Sequence, residues 1–431
     1  MTQPALSPLR VAVLSDLHAF SRANALPGIV PNDGQLCLDE AQIDPYRHPF
    51  AGIWKLIADE GLRADVVLCG GDMTDKSAPE PARRVWELIQ ETALRLGATT
   101  VLGAVGNHDW DSRALHNPDP RHIVYPMHDF PTNRPVVNTN YWAHYWAEYD
   151  DGATRYILVN SCAYQRNGTE YLHGRVTKES VDQIRESLQS APHRTANILL
   201  THHHLHRVGT IDLEDYSEMT GGHLLLEALD EANVGPWMVV HGHKHMPMLN
   251  YASGSSTSPV VLSAGSFSAE LYSELAGRAR NQFYLIELDP ETASDLGLSI
   301  AGRFRAFDWA PALGWTPANA ASQLPGSGGF GCRTDPLSLA RRLEVAVRAS
   351  GQPWLERDEI AAILPELCHL LPPDETALKT RLEELGLEVR LGSAHIIETV
   401  SMPRTEILAA IHADASATVD VPNSGSESVR A

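Results

Sequence analysis

Five times along this chain a short apolar run breaks off into a cluster of Asp, Asn, His and Gly, near residues 14, 69, 105, 201 and 240. Apolar runs of this length are strand-like, and the segments between them have helical length and spacing. The strand candidates are Val11–Leu14, Val66–Cys69, Thr99–Val105, Tyr156–Asn160, Ile198–Thr201, Trp237–Val240 and Pro259–Leu262. Helices are predicted at Ala51–Glu60, Glu80–Leu96, Lys178–Gln189 and Gly222–Ala232. The alternation predicts a layered α/β protein over residues 1–310. Polar sites in such sheets gather beyond the strand ends, so the five clusters are expected at one edge.

Two longer connections interrupt the rhythm, Ala19–Pro49 and Trp110–Asp150. The second holds Tyr125, Phe130, Tyr141, Trp142, Tyr145, Trp146 and Tyr149, which suit either a lid over a substrate or a small core beneath a long loop. Residues 311–334, with GSGGFG inside them, read as a linker. From 335 to 413 three helical stretches precede a hairpin, Leu387–Arg390 with Ala394–Val400, and the tail 414–431 is polar and predicted to be disordered. No internal repeat is present.

A length of 431 residues allows two to four domains. With 43% apolar and 20% charged residues, the chain is neither a disordered polyelectrolyte nor a membrane protein. Acidic side chains outnumber basic ones 54 to 34, a formal charge of -20, which disfavours general binding to nucleic acid. Any phosphate binding must therefore draw its positive charge from something other than surplus Lys and Arg. The cysteines, Cys37, Cys69, Cys162, Cys332 and Cys368, form no C-x-x-C pair and no disulfide framework. The amino terminus lacks the basic and apolar regions of a secretory signal, so a cytoplasmic, reducing setting is expected.

The clusters read D-L-H (Asp16, His18), G-G-D-M-T-D (Asp72, Asp75), G-N-H-D (Asn107, His108, Asp109), T-H-H-H (His202–His204) and H-G-H-K-H (His241, His243, His245). Singly each has an ordinary explanation as turn or cap residues. Together they offer carboxylates, a carboxamide oxygen and imidazoles with no thiolate, a set suited to Mn, Fe, Zn, Co or Ni. The donors are too many for one tetrahedral ion. Two ions about 3.5 to 4 Å apart, bridged by one carboxylate, would use them all and would activate water against a phosphoryl group.

In this order the clusters resemble the D-x-H, G-D-x-x-D, G-N-H-[DE], strand-ending His and G-H-x-H blocks of the calcineurin-like metallophosphoesterase superfamily. The resemblance covers residues 16 to 243 and implies a four-layer α/β/β/α sandwich, with a smaller mixed helical and hairpin domain following it. It implies that Asp16, His18 and His243 hold one divalent ion, that Asn107, His202 and His241 hold a second, and that Asp72 bridges them. His108 would contact a phosphate oxygen and assist the leaving group, kept charged by Asp75 or Asp109. The superfamily often has His-His-Pro where this chain has His202, His203 and His204. On this reading His203 supports the site, His204 and His206 face solvent, and His245 lies on the surface. His48, His116, His122, His128, His144, His173 and His223 have no ligand-like spacing and are expected to be structural or exposed.

The implied reaction is hydrolysis of a small phosphoester, with a phosphodiesterase acting on a nucleotide-like molecule preferred over a monoesterase. A nuclease would need a basic groove, and a protein-binding scaffold would have lost ligands. In the C-terminal region, helix, turn, helix and hairpin match the order of a winged-helix module. Its second helix, DETALKTRLEEL, carries four acidic and two basic residues, and residues 335–413 carry 13 acidic against 8 basic. That composition favours oligomerisation, partner binding or covering of the active site over DNA contact.

Overall fold

The fold is that of a computed structural model, which describes residues 7–23, 34–39, 44–114, 117–166, 173–206, 218–319, 323–392, 396–403 and 405. His116, part of the 19–49 connection and the tail from 414 lie outside the described residues. The chain divides into two compact units, one of Met1–Arg333 with Cys368–Leu371, the other of Thr334–Leu367 with Pro372–Ala431.

The larger unit runs β1 (Leu9–Leu14), α1 (Pro49–Glu60), β2 (Val66–Cys69), α2 (Pro79–Leu96), β3 (Thr100–Gly103), α3 (Pro135–His144), β4 (Trp146–Asp150), β5 (Thr154–Val159), α4 (Lys178–Gln189), β6 (Ala196–Leu200), α5 (Gly222–Glu231), β7 (Trp237–His241), β8 (Met248–Tyr251), β9 (Val260–Ser263), α6 (Ser273–Ala276), β10 (Asn281–Leu288), α7 (Pro290–Leu296), β11 (Gly302–Ala310), β12 (Gly314–Pro317) and β13 (Ser327–Phe330). One sheet has the order β12-β11-β10-β1-β2-β3, with β13 also on β11, and the other has the order β4-β5-β6-β7-β9-β8. In the first, β1, β2 and β3 are parallel; in the second, β5, β6, β7 and β9 are parallel. Parallel strands end at the same edge of their sheet, which brings the polar clusters together.

Strand periodicity sets the layers. Ile157, Val159, Leu199, Val239 and Val261 pack with Val181, Ile184 and Leu188 of α4 and Leu225 and Leu229 of α5. Their neighbours Tyr156, Leu158, Ile198, Leu200, Met238, Val240, Val260 and Leu262 turn the other way, into the core shared with β1 and β2. With α1 and α2 packed on the first sheet, the order is α/β/β/α. Both helices have Pro in the first turn and end on a left-handed glycine, Gly61 at φ 61° and Gly97 at φ 78°.

One connection falls on the core side of the sequence reading, and another departs from it. The aromatic insertion adds α3 and β4, and Phe130 and Tyr141, both 0% exposed, join the main core instead of forming a lid. The Tyr141 hydroxyl accepts a bond from the Val105 amide (3.2 Å), tying the insertion to the segment after β3. Residues 311–334, read as a linker, contribute β12 and β13 to the first sheet. Their glycines serve close approach: a Cβ on Gly329 would stand 2.1 Å from the Cys368 carbonyl oxygen.

In the smaller unit, α8 (Pro336–Ala349), α9 (Arg357–Ile363) and α10 (Pro372–Glu384) accompany a sheet of β14 (Trp354–Glu356), β15 (Glu388–Leu391) and β16 (Ile397–Ser401), ordered β14-β16-β15. Leu339, Leu343, Val347, Ile360, Leu378, Leu382 and Val400 are buried. Glu375 joins helix to hairpin, accepting from Arg357 Nη1 (2.9 Å) and the Ile397 amide (2.8 Å).

Candidate metal centre

Backbone bonds lace the strand-end loops together. The amides of Leu17 and His18 donate to the Asp72 carbonyl (2.8 and 3.0 Å), and the Gly242 amide donates to the His202 carbonyl (3.0 Å). Across the two sheets, the His243 amide donates to both carboxylate oxygens of Asp16 (3.0 and 3.2 Å), and Ser266 Oγ donates to the Asp16 carbonyl (2.7 Å). Contact this close requires glycine at Gly106, where a Cβ would stand 2.1 Å from both the nitrogen and Oδ1 of Asp72.

Several of the residues so held adopt backbone conformations that residues with a Cβ avoid. Asp16, His18, Asp72, His243 and His245 have φ of 52°, 47°, 53°, 75° and 52°. Each such residue costs about 1–3 kcal/mol and persists where its surroundings over-determine it. Here the lateral loop bonds supply that constraint.

The side chains converge on Asp72, which is buried. Its Oδ2 lies 3.3 Å from His202 Nε2 and 3.7 Å from His18 Nε2, and its Oδ1 accepts the His108 amide at 2.7 Å. On one side, His245 Nε2 is 3.2 Å from His18 Nε2 and 3.3 Å from Asp16 Oδ1. Asp16, His18 and His245 thus present donor atoms all within 4.8 Å of one another. On the other side, Asn107 Oδ1 is 3.0 Å from His202 Nε2 and 2.9 Å from His243 Nδ1.

His241 is not among these groups. It remains in β7, paired with Ser263, and its Nδ1 is 3.1 Å from the Gly242 carbonyl. The expected pair was His241 and His243; the contacts instead bring His243 and His245 into the cluster. The signal was present: Gly242, His243, Lys244 and His245 themselves read G-H-x-H. His245, expected on the surface, is 8% exposed, and His204, expected in solvent, is 1% exposed. His203 is also buried, with Nδ1 2.8 Å from Ser161 Oγ and its ring 4.4 Å from that of His243.

The two carboxylates proposed to face His108 have different settings. Asp75 Oδ1 is 3.6 Å from His108 Nδ1. Asp109 instead accepts the amides of Thr74 and Gly106, both at 3.1 Å, clamping two loops together. Ser15, Ser266 and Ser268, which steady the Asp16–His18 loop, carried no recognisable sequence signal; Ser15 Oγ donates to Asp16 Oδ2 (2.6 Å) and Ser268 Oγ to the Leu17 carbonyl (2.6 Å).

Electrostatics test whether the site suits cations. Burial favours neutral Asp16, but the nearby His245 outweighs it and holds the carboxyl below its ordinary range. Burial acts likewise on Asp72, and His202 and His108 pull its carboxyl well down. Burial, reinforced by neighbouring imidazoles, keeps His18 and His243 neutral, with values well below the ordinary one. Burial would also lower His202, yet Asp72 and Asp16 raise it to about 9. His202 Nδ1 lies 2.8 Å from the Gly70 carbonyl, so in the neutral ring that nitrogen carries the hydrogen and the Nε2 lone pair faces the oxygens of Asp72 and Asn107. Lone pairs converging on one space, two carboxylates and buried neutral imidazoles fit divalent cations of borderline to hard character.

The family model for calcineurin-like phosphoesterases matches residues 9–247, and the chain belongs to that family. A search of curated proteins finds no match. Among solved structures, a purple acid phosphatase from yellow lupin (Lupinus luteus) seeds is similar at 14% identity and a TM-score of 0.44, over 74% of this chain and 53% of its own. A putative 5'-nucleotidase from Staphylococcus aureus is similar at 12% identity and a TM-score of 0.35, over 66% of this chain and 51% of its own. The chain thus spans about half the length of each. The calcineurin-like phosphoesterase YfkN from Bacillus subtilis is similar at 11% identity and a TM-score of 0.34, over 72% of this chain and 87% of its own. Among the described residues, no helix is long and apolar enough to cross a membrane.

Proposed function

We propose that the protein is a metal-dependent phosphoester hydrolase, with Asp16, His18, Asp72 and His245 holding one divalent cation and Asp72, Asn107, His202 and His243 a second. The observation that carries this reading is the convergence of these seven side chains, from both sheets, around the buried Asp72 carboxylate. Mn, Fe and Zn all suit the donor set. When bound, such a pair neutralises phosphoryl charge and lowers the pKa of water.

The chain's own residues supply the rest. The Gly70 carbonyl orients His202, and the Asp16 carboxylate fixes the loop that carries His243. His108, half-buried, lies against the site with its ring 4.5 Å from that of His18, and gives a proton to the departing oxygen. Asp75 stands behind it, with Oδ1 3.6 Å from His108 Nδ1. Leaving groups of mono- and diesters alike depart as alkoxides and use this proton; the substrate class proposed is a small nucleotide-like phosphodiester, with a phosphomonoester as the alternative that the turnover panel separates. The test is metal analysis of purified protein combined with turnover of phosphomono- and phosphodiesters, on wild type and on His108→Ala. Two bound cations with diester hydrolysis are expected; bound metal with no turnover of any phosphoester would end the reading.

A further inference from the structure

Beside His108 lies a cleft lined by Lys76, Ser77, Asn107, Trp110, Ser112 and Arg113. In a chain of net charge -20 its lining is unusual, since the described residues facing it include two cations, two hydroxyls and no carboxylate. Asp75 is buried beside Lys76, its Oδ2 3.8 Å from the Lys76 Nζ. The walls are built firmly. Lys76 and Ser77 have φ of 49° and 62°, and the Ser77 amide donates to the His108 carbonyl (2.9 Å). Opposite, the buried Trp110 anchors its loop by donating from Nε1 to the Gln165 carbonyl (3.1 Å).

The cleft adjoins the imidazole that faces the departing oxygen, so whatever occupies it belongs to the leaving group. We infer that this cleft is a subsite for a second anionic group, a phosphate or a carboxylate, borne by the leaving-group side of the substrate and bound by Lys76 and Arg113. The inference rests on the phosphoesterase reading and narrows its substrate class to doubly anionic esters. Lysine serves such a group as a point charge, whereas arginine grips it through two parallel N–H donors.

Two measurements test it. The first is the ratio of kcat/KM for the diester methyl carboxyphenyl phosphate to that for methyl phenyl phosphate, in wild type, Lys76→Met, Arg113→Gln and the double variant, with Arg113→Lys as the charge-conserving control. Each neutral substitution is expected to lower the ratio on the order of tenfold, with partial recovery in Arg113→Lys. The second is calorimetric binding of methylenediphosphonate against methylphosphonate to protein loaded with Mn(II) and to metal-free protein. Wild type is expected to prefer the diphosphonate and the double variant to lose that preference. An unchanged ratio, or equal preference in wild type and double variant, overturns the subsite. Because the binding arm needs no turnover, an enzyme inert toward every ester would sink the hydrolase reading while still deciding this one.

Discussion

His241 and His245 flank His243 at equal spacing, and one substitution at each separates the two registers. His245→Ala is expected to lower bound metal by about half, because one cation loses a donor that stands 3.3 Å from Asp16. His241→Gln is expected to retain both cations. Elemental analysis of dialysed protein reads the difference. Asp72→Ala removes the carboxylate shared by both sides and should abolish metal retention and turnover together. His108→Ala should keep the metal and lower kcat by about 10²- to 10⁴-fold, the range of a general acid. Most of the donors were legible in the sequence, because each polar residue follows an apolar strand at the one edge where parallel strands end. The histidine register was not, since two-residue spacing fits either pair. What decides it is that β7 still includes His241, so the turn begins only at Gly242.

The loops behave as one element laced from five strand ends, and their glycines are the seams. Gly106→Ala would drive a Cβ to 2.1 Å from the Asp72 backbone, and a loss of about 1–3 kcal/mol is expected from such overpacking, read as a lower denaturation midpoint. A matching loss of metal affinity should accompany it, since the strain falls on Asp72. Tyr141→Phe should cost about 1–3 kcal/mol by leaving the Val105 amide, buried and 3.2 Å from the hydroxyl, without its acceptor. At this scale the sequence misled in one place and left another open. GSGGFG resembles a flexible spacer in composition, yet its glycines let β13 lie against the chain at Cys368, a contact with a partner distant in sequence. The aromatic insertion was open between lid and core because aromatic content alone does not say which face is covered.

Over the whole molecule, the buried site makes metal-free stability depend on pH in a defined direction. His202, at about 9 against an ordinary 6.5, stabilises the fold fully below about 6.5 and loses that contribution as pH rises through about 9. Asp109, raised to about 7 by burial and the charge of Asp72, has the same sign, its contribution complete below about 4 and gone above about 7. His241, which burial lowers to about 3, has the opposite sign, stabilising above about 6.5 and losing this as pH falls. Thermal unfolding in chelator is therefore expected to show a falling Tm from pH 7 to pH 9, and saturating Mn(II) should reduce the fall by binding neutral His202. The layered α/β plan was readable from the alternation of short apolar runs with amphipathic helices, while the four-layer sandwich was implied only by the resemblance of the clusters. The later strands β10 to β13 were not, because antiparallel strands at a sheet's far side carry no strand-end cluster to mark them. The seven donors span positions 16 to 245 and come from both halves of the sandwich. A nascent chain with only one half assembled lacks part of each donor set, so full uptake of metal during refolding waits for the halves to close.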